Sequence, residues 1–423
     1  MSPNCPLPPA IFPKTTSPTS KTLITTLLHS STAPSNILSN VTTDLKHLTT
    51  SFKTRYFRSD DGRQAAVWVY QRLEGMIGGS GYGEASVRFF NHSWVQPSVI
   101  ARIGGSSGST IVLSCHLDSV NLNLPAFFKA PGANDNASGV SALLSIFQTL
   151  LLIPTTSNPH LPFKNTIEFH FYAAEESGLW GSAEVFSSYN KMYKPIHSVL
   201  TFDTIGRPPP PQSPPQKNKQ IGIVADFLLP EFKQYIELLI KEYTNPNIDS
   251  VETSCGYACS DHASAVRFGY PGALLTSGRL EDVIDGKVLD YSHSGGDTME
   301  KLDLGLIVEF VRFGVAWCVE LGFAELGGND NNGNGNNINN NEGRRAYLCD
   351  NGYPDGWMGS VRRFSAARAA EPLGIGLWVF VLIVMLGIAR PWEEVPIIMK
   401  MGRRVRRRAR RGYRVLVGRE GED

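Results

Sequence analysis

Acidic and histidine side chains gather in five short clusters of this 423-residue sequence. The clusters contain His116 with Asp118, Asp135, Glu175 with Glu176, Asp203, and His293. Carboxylates and imidazoles bind divalent metal ions and carry protons in hydrolytic reactions. Two imidazoles with several carboxylates suit zinc, and one shared carboxylate can hold two ions about 3.5–4 Å apart. These residue types therefore predict a zinc centre, provided that the fold brings the clusters together.

Predicted strands end beside nearly all of these clusters. Thr110–Ser114 is a short apolar run that follows a Gly/Ser turn, which predicts a buried strand ending just before His116. Strands predicted at Thr166–Tyr172 and Ser198–Phe202 lead to the glutamate pair and to Asp203. Because the carboxyl ends of parallel strands meet at one edge of a sheet, we expect these side chains to converge there.

Segments with helical periodicity alternate with the strands. Apolar residues at helical spacing predict helices over Asn136–Leu152, Glu231–Tyr243 and Leu304–Leu321, and Gly272–Thr276 is a further predicted strand. Asp135 provides N-cap chemistry for the first of these helices. The alternation predicts an α/β fold with a mostly parallel, mixed central sheet and helices on both faces.

Each cluster alone also has a purely structural explanation. A His-x-Asp sequence is usually a hydrogen-bonded surface pair, and Glu-Glu is usually a solvated helix start with favourable dipole contacts. Asp135 taken alone would be a helix cap. Only the occurrence of all five clusters near strand ends or helix starts indicates a common site.

The clusters lie within sequences that resemble the two-zinc leucine aminopeptidases secreted by bacteria and fungi, a group that includes aminopeptidase Y. The similar phrases occur in the family's order from roughly Asp44 to Leu326. The resemblance implies a zinc-exopeptidase fold and a metal-dependent aminopeptidase that removes the first residue from peptides and proteins with a free N-terminus. The phrases are Cys115-His-Leu-Asp-Ser119, Ala130-Pro-Gly-Ala-Asn-Asp-Asn-Ala-Ser-Gly139, Tyr172-Ala-Ala-Glu-Glu-Ser-Gly178, Phe202-Asp203, Cys255-Gly-Tyr-Ala-Cys-Ser-Asp-His262, and His293 with Asp297-Thr298.

Carried over residue by residue, the resemblance implies a centre of two zinc ions per chain, bridged by Asp135. His116 and Asp203 complete the protein ligands of one ion, and Glu176 and His293 complete those of the other. A water between the ions would attack a peptide carbonyl that one ion polarises.

The resemblance also implies roles for residues around the ligands. Glu175 is the general base, and Asp118 accepts the second imidazole N–H of the first ligand histidine. Cys255 and Cys259 form a disulfide that shapes the loop of Tyr257, whose hydroxyl helps to stabilise the oxyanion.

Two other functions compatible with this fold stay open. A glutaminyl cyclase of the same architecture works with one zinc ion, and a receptor-like protein of the same fold has lost its metals. Both ligand sets are complete here, which favours the aminopeptidase. Metal content and turnover would separate the three functions.

Composition divides the chain into four parts. A Pro/Ser/Thr-rich segment at 1–40 is predicted to be a disordered or processed leader, and 41–326 is the catalytic domain. An Asn/Gly-rich linker at 327–345 precedes a tail at 346–423. Its uncharged stretch at 373–389 predicts a transmembrane helix with an arginine-rich end on the cytosolic side; a buried helix of a small domain is the alternative.

Several weaker features bear on partners and compartment. A formal net charge of +1 gives no general attraction to nucleic acid. The implied disulfide, the possible glycosylation sites Asn40-Val-Thr42 and Asn91-His-Ser93, and the predicted span indicate the secretory pathway, with the enzyme membrane-anchored or secreted and its catalytic domain lumenal or extracellular. Thr22–Leu28 is a weak signal sequence. An atypical leader, an incomplete N-terminus and a tail-anchored protein facing the cytosol are the alternatives, and the oligomeric state is open.

Overall fold

A mixed eight-stranded sheet forms the centre of the protein in the computed structural model, which describes residues 12–29, 33–153, 163–209 and 219–326. The spatial order of its strands is β1-β2-β4-β3-β5-β8-β6-β7. The strands are β1 (Ala85–Phe90), β2 (Ser98–Ile103), β3 (Thr110–His116), β4 (Thr166–Tyr172), β5 (Ile196–Phe202), β6 (Lys219–Val224), β7 (Ile248–Thr253) and β8 (Gly272–Ser277).

The middle of the sheet is parallel, and its outer strands are partly antiparallel. β3 pairs in parallel with both β4 and β5, and β5 pairs in parallel with β8. β1–β2, β2–β4 and β6–β8 are antiparallel, whereas β6–β7 is parallel. The mixed sheet confirms the predicted fold class. The register aligns His116 with Tyr172 and Phe202 with Leu275, so the carboxyl ends of the four parallel strands meet at one edge.

The helices agree with the predicted ones within a few residues. The helices are α1 (Pro18–His29), α2 (Ala33–Thr50), α3 (Asp60–Ser80), α4 (Ser138–Leu150), α5 (Trp180–Lys191), α6 (Pro230–Tyr243), α7 (His262–Arg267), α8 (Leu280–Ile284) and α9 (Leu304–Phe323). The predicted helices at 136–152, 231–243 and 304–321 correspond to α4, α6 and α9.

Two hydrophobic cores lie on opposite faces of the sheet. Side chains alternate along a strand, so Ile111 and Leu113 of β3 enter one core and Val112 enters the other. The larger core includes residues of α4, α6 and α9, and the smaller one includes Phe186 of α5 and Ala265 of α7. Helices therefore cover both faces, as the sequence predicts.

The smaller core also contains a buried polar group. Glu168 of β4 is 3% exposed, and its Oε2 accepts hydrogen bonds from His170 Nε2 (3.0 Å) and the Tyr189 hydroxyl (2.9 Å). Lys194 bonds to the other carboxylate oxygen. Because His170 and Lys194 together outweigh the effect of burial, the pKa of Glu168 falls to about 2. The carboxylate is therefore ionised inside the fold.

The segment at 1–40 is predicted to be a disordered or processed leader; disorder is wrong for the part that the structure describes, whereas processing stays a prediction. α1 packs against α9, with Ile24 and Leu28 each 1% exposed on its inner side. The Ser17 amide donates to the Glu320 carboxylate at 3.1 Å. Polar composition is misleading here because the few apolar residues share one helix face and are buried by tertiary contacts. α2 also crosses the predicted domain boundary at residue 41.

The predicted linker at 327–345 and the predicted tail at 346–423 lie outside the described residues, as does the span at 373–389. Among the residues that the structure describes, no helix is long and apolar enough to cross a membrane. The linker, the tail and the membrane span therefore stay predictions.

Candidate metal centre

The carboxyl edge of the sheet collects the acidic and histidine clusters. His116 is the last residue of β3, Asp203 follows β5 directly, and Glu175 and Glu176 follow β4 through a short turn. Asp135 lies in an irregular turn, Ala133–Ala137, that leads into α4, and its own backbone (φ −115°, ψ 86°) is not helical. His293 enters from the loop after α8 with a positive φ of 59°. The structure thus brings together all five predicted clusters.

Asp135 lies between two groups of side chains. Its Oδ1 is 3.1 Å from His116 Nε2, and its Oδ2 is 3.1 Å from His293 Nε2. His116 Nε2 is also 3.4 Å from Asp203 Oδ1, and His293 Nε2 is 2.9 Å from Glu176 Oε2. One carboxylate therefore faces two imidazole–carboxylate pairs, one with each oxygen.

Three buried atoms of this cluster are available to a metal ion. Within the described residues, His116 Nε2, Glu176 Oε1 and Asp203 Oδ1 are buried and make no hydrogen bond. Ligand atoms of His116, Asp135 and Glu176 lie within 4.8 Å of one another. Buried polar atoms without a partner are costly, and imidazole and carboxylate donors are those that zinc uses. The residues present therefore fit bound zinc.

Charges in the cluster favour added positive charge. Glu176 has its pKa raised to about 7, first by burial and then by the neighbouring Asp135. The carboxylates of Glu176 and Asp135 in turn raise the pKa of His293 to about 12. Burial alone would raise the pKa of Asp135, but His116 and His293 hold it far below its usual value. The cluster has more carboxylates than imidazoles, which is the balance that a divalent cation stabilises.

Glu175 stands beside the predicted ligands. It is 9% exposed, and burial raises the pKa of its carboxyl well above the usual value, with Asp261, Asp203 and Glu176 adding to the effect and His116 opposing it. A buried carboxylate with a raised pKa is suited to accept and return a proton near neutral pH.

Asp118 is buried behind the first ligand histidine, but its carboxylate has partners other than the predicted imidazole. His116 Nδ1 is 3.1 Å from the Asp118 main-chain oxygen and 3.6 Å from its carboxylate Oδ1. The carboxylate accepts hydrogen bonds from the amides of Glu175 (3.0 Å) and Glu176 (3.2 Å). Asp118 therefore ties the β3 end to the glutamate turn, and a carbonyl is the nearest acceptor for the imidazole.

Two residues around the ligands have roles that the sequence analysis did not assign. Ser260 Oγ donates to Asp203 Oδ2 at 2.7 Å. Asp297, 2% exposed, accepts from the amides of Asn134 (2.9 Å) and Asp135 (3.0 Å). Both residues lie in the sequence phrases that resemble the aminopeptidases, and this resemblance is the only indication of them in the sequence. Their partners are distant in sequence and could be found only in the fold.

The predicted disulfide between Cys255 and Cys259 is present, with a Cα–Cα distance of 6.2 Å. The Asp226 carboxylate holds this loop by accepting from the amides of Cys255 (2.6 Å) and Gly256 (3.0 Å). Tyr257 on the loop is 55% exposed, and the pKa of its hydroxyl is raised by burial and by the charge of Glu175. The loop thus holds a phenol beside the predicted base.

Residues 98–316 match the sequence profile of Peptidase family M28. The chain belongs to this family. Leucine aminopeptidase 1 of Sclerotinia sclerotiorum is 39% identical to this M28 chain over 282 residues, which cover 66% of the chain and 70% of that protein. Leucine aminopeptidase 1 of Coccidioides posadasii is 38% identical over 289 residues, 68% of this chain and 72% of that protein.

Solved structures agree with this assignment. The LapA aminopeptidase of Legionella pneumophila superposes with a TM-score of 0.63 and 26% identity, covering 74% of this M28 chain and 78% of LapA. A glutaminyl cyclase of Porphyromonas gingivalis shares the fold with a TM-score of 0.52 at 15% identity. The family and its relatives confirm a metal-dependent aminopeptidase, a hydrolase of peptide bonds. The fold alone does not separate it from a cyclase, so the site must.

Proposed function

We propose that this M28 chain removes the N-terminal residue of peptides at a centre of two zinc ions bridged by Asp135. The observation that carries the proposal is the position of the Asp135 carboxylate, whose two oxygens each lie 3.1 Å from a different histidine. His116 and Asp203 would complete one ion's ligands, and Glu176 and His293 the other's. Bound zinc would lower the pKa of a water molecule and polarise the scissile carbonyl.

Glu175 is the proposed general base. Its main-chain amide is held by Asp118, and its carboxyl is buried beside the ligands without contributing to either histidine pair. From that position it takes the proton of the attacking water and returns it to the leaving amine. Burial raises the pKa of Glu175 above its usual value, which makes its carboxylate a better proton acceptor.

Two other groups would direct the peptide. The Tyr257 hydroxyl, on its clamped loop, is proposed to donate to the carbonyl oxygen as negative charge develops there. The free α-amine of the substrate would ligate a zinc ion or meet a carboxylate beside the ions, as the resemblance to the aminopeptidases implies. An acylated N-terminus has no free amine, so cleavage would be restricted to the first residue. The relatives' names make leucine the first residue to test.

The test is hydrolysis of leucine p-nitroanilide by the full chain, with and without a chelator, beside the N-acetylated substrate. We expect turnover that the chelator abolishes and zinc restores, no turnover of the acetylated compound, and two zinc ions per chain. A folded chain that binds a single zinc ion and cyclises an N-terminal glutamine would establish the cyclase instead. A folded, zinc-loaded chain with neither activity would refute both functions.

The secretory-pathway location, the glycosylation sites and the membrane anchor are proposed from sequence features. The disulfide between Cys255 and Cys259 is consistent with an oxidising compartment. Fractionation of cells that produce the full chain, followed by carbonate extraction, would show whether residues 373–389 anchor it.

A further inference from the structure

Arg55, just before α3, lies beneath the metal centre and is 0% exposed. Its Nε donates to the Leu117 carbonyl at 2.9 Å, directly after the ligand His116. Its two terminal nitrogens donate to the carbonyls of Pro131 and Gly132 (3.0 Å), at the start of the turn that carries Asp135. One guanidinium therefore joins the two backbone segments that present His116 and Asp135.

The contacts of Arg55 differ from those of an ordinary buried arginine. Among the described residues, the side-chain hydrogen bonds of Arg55 all go to main-chain carbonyls, including a longer one to Leu48 at 3.4 Å. Burial lowers the pKa of Arg55 to about 10, so the group still carries its charge at neutral pH. The charges of Asp297, Asp118, Asp135 and Glu176 oppose this lowering and stabilise the charged guanidinium. A buried cation normally needs such compensation.

Packing leaves the guanidinium little freedom. Gly132 has a φ of +54°, and a Cβ at that position would lie 2.9 Å from the Arg55 terminal nitrogen. The Arg55 amide also donates to Ser119 Oγ (3.0 Å), which itself donates to the Ala130 carbonyl (2.8 Å). The β3 end and the Asp135 turn are thus connected twice, by the side chain and by the main chain of the same residue.

We propose that Arg55 is a positioning residue for metal binding, which fixes His116 and Asp135 at their observed separation and offsets the repulsion among the site's carboxylates. The inference rests on the proposed two-zinc function. Arg55 reaches neither substrate nor metal in this role. It acts through the backbone of Leu117 and of Pro131–Gly132, whose positions determine the 3.1 Å between His116 Nε2 and Asp135 Oδ1. Groups that orient metal ligands typically contribute about 10–100-fold to metal affinity.

The test compares Arg55→Lys with Arg72→Lys in the full chain. Lysine keeps the charge at position 55, but its compact ammonium lacks the planar fork of N–H donors with which the guanidinium reaches Leu117 and Pro131–Gly132 at the same time. Arg72 is the matched control, because its Nε donates to the buried Asp44 carboxylate at 3.0 Å between α3 and α2, which is away from the metal centre. Zinc affinity is measured by competition with a chromogenic chelator, beside thermal unfolding of the metal-free protein and kcat and KM at saturating zinc.

We expect Arg55→Lys to lower zinc affinity by about 10–100-fold, while KM at saturating zinc stays unchanged within error. Arg72→Lys should lower the unfolding temperature and leave zinc affinity unchanged. A variant at Arg55 that loses only thermal stability, like the control, would overturn the proposal, because Arg55 would then be structural. If Arg55→Lys does not fold, Ser119→Ala replaces it, since this smaller change loosens the same junction. Reduced zinc affinity in that folded variant supports the proposal, and wild-type affinity overturns it.

Failure of the proposed function gives a different result from failure of this inference. If the wild-type chain binds fewer than two zinc ions or does not hydrolyse leucine p-nitroanilide, the proposed function fails whatever Arg55 does. If the wild type behaves as proposed and Arg55→Lys binds zinc normally, only the positioning role fails.

Discussion

Replacement of Glu175 by glutamine separates the base from the ligands. The change keeps the size of the side chain and leaves the main-chain amide that bonds to Asp118 at 3.0 Å. It removes the only property that the proposed mechanism requires of the side chain, which is the ability to accept a proton. None of the imidazole contacts that define the two ligand sets involves Glu175. Zinc content should therefore stay the same.

The expected loss follows from what a general base contributes. Positioned proton transfer accelerates a reaction by about 10²–10⁴-fold, so Glu175→Gln should lower kcat by about 10³-fold, equivalent to about 4 kcal/mol of activation free energy. KM should change little, because the amide still fills the same buried space. Glu74→Gln on the exposed face of α3 is the matched control and should retain full kcat.

The assay is initial-rate hydrolysis of leucine p-nitroanilide with zinc content measured on the same samples by atomic emission. Near-normal kcat in Glu175→Gln would refute the assignment of the base even if the aminopeptidase activity stands. A variant that loses both zinc and turnover would show instead that Glu175 supports the ligands.

Three further changes test other parts of the structure. Asp135→Ala removes the shared carboxylate, so zinc content should fall from two ions to less than one per chain; retention of both would exclude bridging. Asp226→Asn should lower kcat about fivefold with zinc content unchanged, because weakening one hydrogen bond of the Tyr257 loop costs about 1 kcal/mol; an unchanged kcat would detach that loop from catalysis. Glu168 has a folded pKa of about 2 against 4.5 ordinarily, so its contribution to the free energy of unfolding is complete above pH 4.5 and lost as pH falls through 2. It amounts to about 3 kcal/mol, and urea titrations at pH 6 and pH 3 should show a smaller acid loss for Glu168→Gln than for the wild type, whereas equal losses would contradict this.

Local chemistry explains why so much of the sheet, and the convergence of the acidic and histidine clusters at its edge, could be predicted. Alternating apolar residues in Thr166–Tyr172 specify which side chains of β4 share a face, and the observed strand has the predicted bounds. A strand such as β3, with all seven residues buried, is recognisable from its continuous apolar run. Ligands at strand ends follow from the same information, because parallel strands share an edge.

Long-range contacts explain what could not be predicted. Composition alone indicated disorder before residue 41, whereas α1 is ordered by packing against α9, nearly three hundred residues away in sequence. Asp118 has the predicted location, yet its carboxylate bonds to amides in the turn after β4. The choice between imidazole and amide depends on how two strand ends approach each other, and no local pattern contains that distance.

Residue types and their spacing specify which chemistry the protein can perform, because residue type sets metal preference and proton affinity and because spacing sets secondary structure. How these groups act together depends on the tertiary fold. It placed the two oxygens of Asp135 towards two different histidines, and it put Arg55 beneath both ligand segments. A single buried arginine has no periodicity to reveal it. Its function depends on carbonyls that more than sixty residues separate from it and that only folding brings within hydrogen-bond distance.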